Sequence, residues 1–528
     1  MSRSTSENIP LTAYTLTNAD EIAHPSQDED TTQEHRGEEE EEEHLIDKDE
    51  SDGEDDAWLD SGEDENGNQI NPTLWDLPLL RYTLLAVTVG LLFVLFKILV
   101  AKYGHGSEHH NRPAEHMYFN GTDFFGPTVI LISLDGFRSE YLHRNITPNL
   151  DELASKGIRA EYMHPSFPPS TFPNHWTLVT GLYPEAHGIV GNTFYDPALD
   201  KEFIYNNNEI TKQSEWWGGE PLWVTSALQG LRTAVDMWPG STASVNHVRP
   251  NFVVGFNSTV TPLEKIDTVL GWLDLAQNER PQFMAVYVPQ VDIVGHEKGP
   301  DSEEINDAII DVDNAIGHLI EELTERNLGR HVHVIVVSDH GMSSTGPSKL
   351  IYYDDILSPE SLASLREREA MPLLDIRPNA NASFDRMVNK IYRELHNYTE
   401  NSPDPHFKVF LRKDVPSRYH YSNTDRITPI VAIPDVGYTF VLHDEVAPNA
   451  QKTFLTLGHH GYDNLAPDMR AIFIAKGPKL NLRFNHGAVV IPFFNVEVYG
   501  LITELLNIVA APNNGTLQGG FFATSLTH

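Results

Sequence analysis

Residues Thr128–Leu134 read TVILISL and run directly into Asp135, Gly136, Phe137 and Arg138. A mostly apolar, β-branched run of this length, without polar alternation, is a strand buried on both faces, which places it inside a parallel sheet. Phe283–Val288 (FMAVYV) and His331–Ser338 (HVHVIVVS) have the same character, the first shortly before Asp292 and the second directly before Asp339 and His340. In an open α/β sheet, ligands bind beyond the carboxyl ends of the strands, so these distant acidic positions are expected to meet there.

With Thr171, His296 and His460 they make seven candidate metal ligands: Asp135, Thr171, Asp292, His296, Asp339, His340 and His460. Any one of them alone reads more readily as a cap or loop residue. Together, in D-G-F-R, D-x-x-x-H, S-D-H-G-M and G-H-H-G-Y-D-N, they offer hard oxygen and borderline nitrogen donors and no thiolate, a mixture suited to catalytic zinc. The chain has no cysteine, which excludes thiolate ligands, a cysteine nucleophile and disulfides. A core of about 400 residues needs no such staples. The reading is a two-metal hydrolase.

Helices are expected between the strands. Thr147 as N-cap, Pro148 at the first position and Gly157 beyond the end frame one of them. Asp301 with Glu304 reads as a capping pair before a helix whose Ile305, Ile309, Val312, Ile316, Leu319 and Leu323 recur at helical spacing. Residues 359–425 are polar and read as surface insertions, Ala471–Lys476 as another buried strand and Asn495–Ile508 as a final helix. Prolines fix the approach to Ser170 and Thr171, and His175–Leu182 looks helical. The Thr171 hydroxyl is therefore expected at a helix N-terminus, where backbone N–H groups favour an anionic phosphoryl oxygen. N-capping is the structural alternative for the same residue.

The chain of 528 residues has a net charge of −39, unevenly spread, because residues 1–76 alone carry 25 acidic and 3 basic side chains. That segment is expected to be a disordered acidic tail, too polar to offset its ordering entropy. Tyr82–Val100 holds a single charge, Lys97, and is long enough to cross a bilayer at 1.5 Å per residue. Residues 77–102 thus read as an uncleaved signal anchor, 103–125 as a stalk and 126–528 as the catalytic domain. Arg81 against Lys97 and Lys102 mildly opposes a cytosolic N-terminus. The sequons at Asn120, Asn145, Asn257, Asn381, Asn397 and Asn514 all follow the anchor and favour a type II orientation, with the catalytic domain luminal or extracellular. Glu41–Ile46 (EEEHLI) fits an acidic dileucine address for a sorting adaptor on the cytosolic tail, which would route the protein to an endosomal or vacuolar membrane, with the cell surface as the alternative. No basic patch marks a stable nucleic-acid complex.

T-F-P-N-H at 171–175, T-G-L-Y-P-x-x-H-G-I at 180–189, W-W-G-G-E-P-L-W at 216–223, the two metal clusters, G-Y-D-N and N-V-E-V-Y near the end together resemble the nucleotide pyrophosphatase/phosphodiesterase family of the alkaline phosphatase superfamily, and most of all its fungal type II membrane members. The resemblance covers about Gly126 to Gly519. It implies an alkaline-phosphatase-like α/β domain with a mostly parallel central sheet flanked by helices. It also implies one zinc ion at Asp135, Thr171, Asp339 and His340 and a second at Asp292, His296 and His460, with His459 outside the set. Thr171 would be the nucleophile and form a covalent intermediate, Asn174 would stabilise the phosphoryl oxygen, and Phe172 and Asn192 would line a nucleotide pocket. Nucleoside triphosphates, dinucleotides and nucleotide sugars are the substrates this implies, cut to release nucleoside 5′-monophosphates. Ser170 and Thr193 stand where some mammalian members carry lysine, and Val288-Pro289-Gln290-Val291 replaces an acidic approach to Asp292. Single-domain members of the family also include lysophospholipid phosphodiesterases, and Trp216, Trp217 and Trp238 keep that alternative in view. A receptor or adaptor with a degenerate enzyme domain is the alternative from another class, opposed by the intact ligand set.

Overall fold

The first buried run forms strand β1 (Thr128–Leu134), with all seven residues buried. The computed structural model describes residues 117–522 except 367–368, 381–382, 447–455 and 518–519, and upstream of these only Gly90. The acidic tail, the dileucine pattern, the sequon asparagine Asn381 and, Gly90 aside, the anchor segment lie outside the described residues. Among the described residues no helix is long and apolar enough to cross a membrane.

Around β1 lie β2 (Ile158–Ala160), β3 (Thr233–Asp236), β4 (Phe252–Val254), β5 (Phe283–Val288), β6 (Val332–Val337), β7 (Phe473–Lys476) and β8 (Ala488–Val490), in the order β8-β2-β7-β6-β1-β5-β3-β4. Strand β1 pairs in parallel with β6 on one side and β5 on the other, with Ile132 opposite Val336 and Val286. The other parallel pairs are β5 with β3, β3 with β4 and β2 with β8. Strand β7 runs against both its neighbours. The expected mostly parallel sheet is therefore present, with one reversed strand.

Alternate residues of β1 feed two apolar layers. Val129 and Leu131 pack on the side of Trp176, Val179 and Leu501. Ile130, Ile132 and Leu134 pack on the side of Ile305, Ile309 and Leu319. This is why the run has no polar face: helices cover both sides of the sheet. The helices that matter for the site are α1 (Pro148–Ser155), α2 (Thr171–Thr180), α3 (Pro262–Leu273), α4 (Gln290–Lys298), α5 (Glu303–Glu325), α6 (Phe384–Asn401) and α7 (Glu497–Leu506).

Several local expectations need correction. Thr147 occupies the N-cap of α1, but its side chain makes no capping bond. The carboxylate of Asp313, from α5, instead accepts from the Asn149 and Leu150 N–H groups at 3.1 and 2.8 Å. The N-cap of α5 is Ser302, whose hydroxyl accepts from Ile305 N–H. Asp301 is occupied elsewhere, by Arg138 and Ser344. Residues 359–425 are more than surface insertions: their strands Leu374–Ile376 and Phe407–Leu411 join Ile430–Pro434 in a three-stranded antiparallel sheet. Helix α6 closes a separate apolar cluster over it through Ile391 and Leu395. Its apolar positions are spaced widely among charges, so composition hid them. The expected stalk also ends early, because the short hairpin Tyr118–Phe119/Phe124–Phe125 packs on the domain, with the Arg280 guanidinium 3.8 Å over the Phe125 ring.

Candidate active site

Four loops meet at the carboxyl edge of β1, β5 and β6. Asp135 follows β1 directly, and Asp292 and His296 stand one helical turn apart on α4, just after β5. Asp339 and His340 follow β6 across Ser338, and His460 lies beyond the two-residue strand Gly458–His459. Gly136 makes the convergence sterically feasible. It has φ +66°, and a Cβ there would lie 2.9 Å from the Cα, Cβ and Oδ1 of Asp292. The D-G pair is thus the point at which the β1 loop passes against α4.

The polar atoms crowd together. His340 Nε2 lies 3.0 Å from Asp339 Oδ2 and 3.5 Å from Asp135 Oδ1. His460 Nε2 lies 3.5 Å from Asp292 Oδ1, and His296 Nε2 lies 3.4 Å from Asp292 Oδ2. The two histidine nitrogens are 3.1 Å apart, and the His340 and His460 rings stack at 3.6 Å. Three overlapping sets could each hold a cation: Asp135, Asp339 and His340; Asp292, His340 and His460; and His296, His459 and His460. His459, expected outside the set, therefore stands within reach of one of them.

Asp135 Oδ1, Asp292 Oδ1, Asp339 Oδ2 and His340 Nε2 are buried without a hydrogen-bond partner. Four such atoms in one cluster would be costly in a closed core, and they fit the donor demands of divalent cations. The electrostatics agree. Burial, reinforced by the charges of Asp339 and Asp292, pushes the Asp135 carboxyl well above the usual range. Burial opposes ionisation of Asp339 as well, yet His340 and His175 hold its carboxyl well below that range. Burial and the neighbouring His340 and His296 push His460 down, which keeps its ring neutral as a ligand must be.

Thr171 is the first residue of α2, with Ser170 as N-cap, so the helix begins at the expected nucleophile rather than four residues later. The preceding turn is braced from both sides. His460 Nδ1 lies 2.9 Å from Pro169 O, and the Asn174 amide nitrogen donates to Pro168 O and Ser170 O at 2.9 Å each. Asn174 Oδ1 accepts from Ser166 N–H and from Asn495. Every amide position of the fully buried Asn174 is therefore used inside the protein, leaving it no hydrogen to offer a phosphoryl oxygen. Asn192 stands differently: its Oδ1 accepts from Phe172 N–H at 2.9 Å, which fixes the amide against the amino end of α2.

Phe172 is half-buried and contacts Phe203, Tyr205 and Trp217. Trp216, Trp217 and Trp238 are 1%, 4% and 1% exposed, so they belong to the core and form no open aromatic cage. Sequence reading passed over Tyr205, exposed just after the hairpin Thr193–Asp196/Lys201–Ile204 with its N–H donating to Asn192 O, and Phe256, exposed beside Tyr287. It also missed Tyr287 itself, whose hydroxyl donates to Asp135 Oδ2 at 2.5 Å, and His175, whose Nδ1 lies 2.8 Å from Thr171 O. An aromatic inside a strand and a histidine inside an apolar helix give no signal above core packing.

The sequons are placed unequally. Asn145, Asn257 and Asn397 are exposed. The Asn120 amide donates to Arg326 O, while Asn514 Oδ1 accepts from Tyr183 N–H and Thr516 bonds Glu497.

A nearly parallel sheet with its reactive groups gathered at one edge defines the class as a hydrolase on an alkaline-phosphatase-like α/β scaffold. Residues 129–463 match the model of the type I phosphodiesterase/nucleotide pyrophosphatase family, and the chain belongs to that family. An uncharacterised pyrophosphatase/phosphodiesterase of Schizosaccharomyces pombe is 45% identical over 403 residues, which is 76% of this chain and 81% of the relative. Bovine ectonucleotide pyrophosphatase/phosphodiesterase family member 3 is 39% identical over 392 residues, 74% of this chain. The chain spans 43% of that relative's length. Among solved structures, murine ectonucleotide pyrophosphatase/phosphodiesterase 5, an inactive variant in complex with AMP, superposes with a TM-score of 0.65 at 30% identity, covering 74% of this chain and 98% of that one. The human counterpart gives 0.66 at 30% identity, with the same coverage.

Proposed function

We propose that the protein is a zinc-dependent hydrolase of nucleotide phosphodiester and pyrophosphate bonds that releases nucleoside 5′-monophosphates through a covalent intermediate on Thr171. The observation that carries this reading is the placement of Thr171 at the first position of α2, joined through His175 to Asp339 in a cluster of buried carboxylate and imidazole donors. Asp135, Asp339 and His340 would hold one cation beside Thr171, and Asp292, His296 and His460 the other. Two zinc ions there would supply Lewis-acid activation of hydroxyl and water together with charge neutralisation.

The chain's own groups do the rest. The Thr171 hydroxyl attacks phosphorus as the leaving oxygen departs on the opposite side, and water then cleaves the threonyl ester. The amino end of α2 faces the developing negative charge. We assign to Asn192, rather than Asn174, the amide that steadies the phosphoryl oxygen, since Asn174 is fully engaged internally. Phe172 and Tyr205, 5.7 Å apart, offer apolar faces to a base. AMP bound to the murine relative supports a nucleotide over a lysophospholipid, and the burial of the tryptophans removes the main argument for a choline headgroup.

The decisive experiment is a substrate panel on the purified catalytic region: a nucleotide diester, ATP, lysophosphatidylcholine and a phosphate monoester. Faster cleavage of lysophosphatidylcholine than of both nucleotides would overturn the assignment. We further propose a type II membrane topology with the catalytic domain luminal or extracellular, the tail in the cytosol and residence in an endosomal or vacuolar membrane. Protease protection of the tail in sealed vesicles would overturn that topology.

A further inference from the structure

We infer that Tyr287 and His175 are positioning residues: Tyr287 selects the single oxygen that Asp135 presents to a cation, and His175 ties the cation-facing oxygen of Asp339 to the main chain of Thr171. This inference rests on the metal reading above. Neither residue belongs to the seven-ligand set.

The geometry is continuous from one carboxylate to the other. Tyr287 lies on β5, opposite Ser133 of β1, so its ring stands beside the strand end that carries Asp135. Its hydroxyl donates to Asp135 Oδ2 at 2.5 Å. Asp135 Oδ1 is then the oxygen left unpartnered, and it is the one that faces His340 Nε2. Asp339 is divided in the same way. The Gly136 N–H donates to its Oδ1 at 3.2 Å, leaving Oδ2 turned towards His340 Nε2, 3.0 Å away. Each carboxylate thus has one oxygen tied to the protein and one aimed into the cluster. That arrangement is how outer-shell donors fix the orientation of a metal-binding group.

His175 joins the two halves. Its Nδ1 lies 2.8 Å from Thr171 O and 3.3 Å from Asp339 Oδ2. An N–H at Nδ1 therefore holds the nucleophile's carbonyl and sits against the aimed oxygen. The ring is wedged edge-on between Tyr287, at 4.8 Å and 87°, and Trp238, at 5.0 Å and 75°. The Trp238 indole N–H donates to His175 O, which anchors the same residue through its backbone. His175 is fully buried, so it cannot reorient without displacing Tyr287. A shift of either side chain would move the Asp135 carboxylate relative to Thr171.

Three variants test this. Tyr287→Phe removes only the hydroxyl, His175→Leu removes the Nδ1 donor, and His175→Asn restores an N–H donor close to the Nδ1 position. Zinc affinity is measured by competition with a chromophoric chelator, alongside kcat, KM and the melting temperature of the zinc-free protein. Tyr287→Phe and His175→Leu should each weaken one of two zinc equivalents about 10- to 100-fold. Both should lower kcat with KM little changed, and His175→Asn should recover most of the loss. Tyr287→Phe keeps the ring and its packing, so its zinc-free melting temperature should stay within a few degrees of the parent. Zinc affinity and kcat within twofold of the parent for Tyr287→Phe would overturn the inference, as would a His175→Asn variant no better than His175→Leu. A parent protein that binds no zinc would remove the metal reading and this inference together. A parent that binds two equivalents alongside unaffected variants would remove this inference alone.

Discussion

Thr171 is close enough to the surface to meet a substrate, at 8% exposure, yet it is held in a helix whose other residues are nearly all buried. Removing its hydroxyl therefore deletes the proposed nucleophile at little structural cost. Thr171→Ala should lose several orders of magnitude in kcat with an unchanged melting temperature, while Thr171→Ser should retain a measurable fraction. Near-parental turnover of the alanine variant would mean direct attack by water. The two asparagines should separate by assay. Asn192→Ala should lower kcat about 10²- to 10³-fold with modest loss of stability. Asn174→Ala strands buried partners on Ser166, Asn495 and the turn carbonyls, and so should cost about 3 kcal/mol in denaturant unfolding. Equal effects of both variants on both readouts would refute the division of roles. His187 gives a prediction in pH. Burial lowers its pKa from an ordinary 6.5 to about 3, so the neutral ring contributes stability that is fully present above the unfolded value and lost as pH falls towards the folded one. Between pH 7 and 5 this group alone should cost about 2 kcal/mol. The pH-dependent loss should shrink by that amount in His187→Gln, and an identical slope in parent and variant would refute it.

At the scale of elements, Gly136 shows how one backbone position sets the distance between a strand end and a helix. Gly136→Ala introduces a Cβ 2.9 Å from Asp292 at a left-handed φ, so it should separate Asp135 from α4. The variant should show weakened zinc binding in chelator competition at least as clearly as reduced stability; unchanged affinity would show that the loop yields instead. The same contrast between apolar runs and lone polar contacts explains what could be read from the sequence. Strands β1, β5 and β6 were legible because burial on both faces leaves no polar residue to confuse the pattern, and the acidic residues after them were legible because strand ends are where sheets bind ligands. The cap of α1 was not, since Asp313 reaches it from a helix more than 150 residues away. Nor was the small sheet under α6, because Leu374–Ile376 and Phe407–Leu411 are short and pair across long separations. Asn174 misled for a related reason: its neighbourhood names it as a site residue, but only its partner Asn495 reveals that its amide is already committed.

For the whole molecule, the site is a joint product of segments from Asp135 to His460, so bound cations should stabilise the domain as a unit. The proposed zinc ions would bind the folded protein far better than an unfolded chain, so chelation should lower the melting temperature and abolish diesterase activity together. Metal analysis of active enzyme should return two ions per chain, and substantially fewer would count against the proposed pair of sites.

The reversed strand β7 also sets the molecule's timetable. Strands β2 and β8 connect to the remainder of the sheet through β7 alone, which lies between β2 and β6. β2 ends at Ala160, β6 at Val337, and β7 begins only at Phe473, so a growing chain carries an unpaired edge at β2 for more than 300 further residues and another at β6 for more than 130. At a synthesis rate of about 5–20 residues per second, the β2 edge waits roughly 16–60 s and the β6 edge roughly 7–27 s for the same late arrival. His460 is made only just before β7, so hydrolytic competence and closure of the sheet come almost together. The cluster of candidate metal ligands thus stays incomplete until His460 emerges, and the interval before that is when the chain most needs a chaperone.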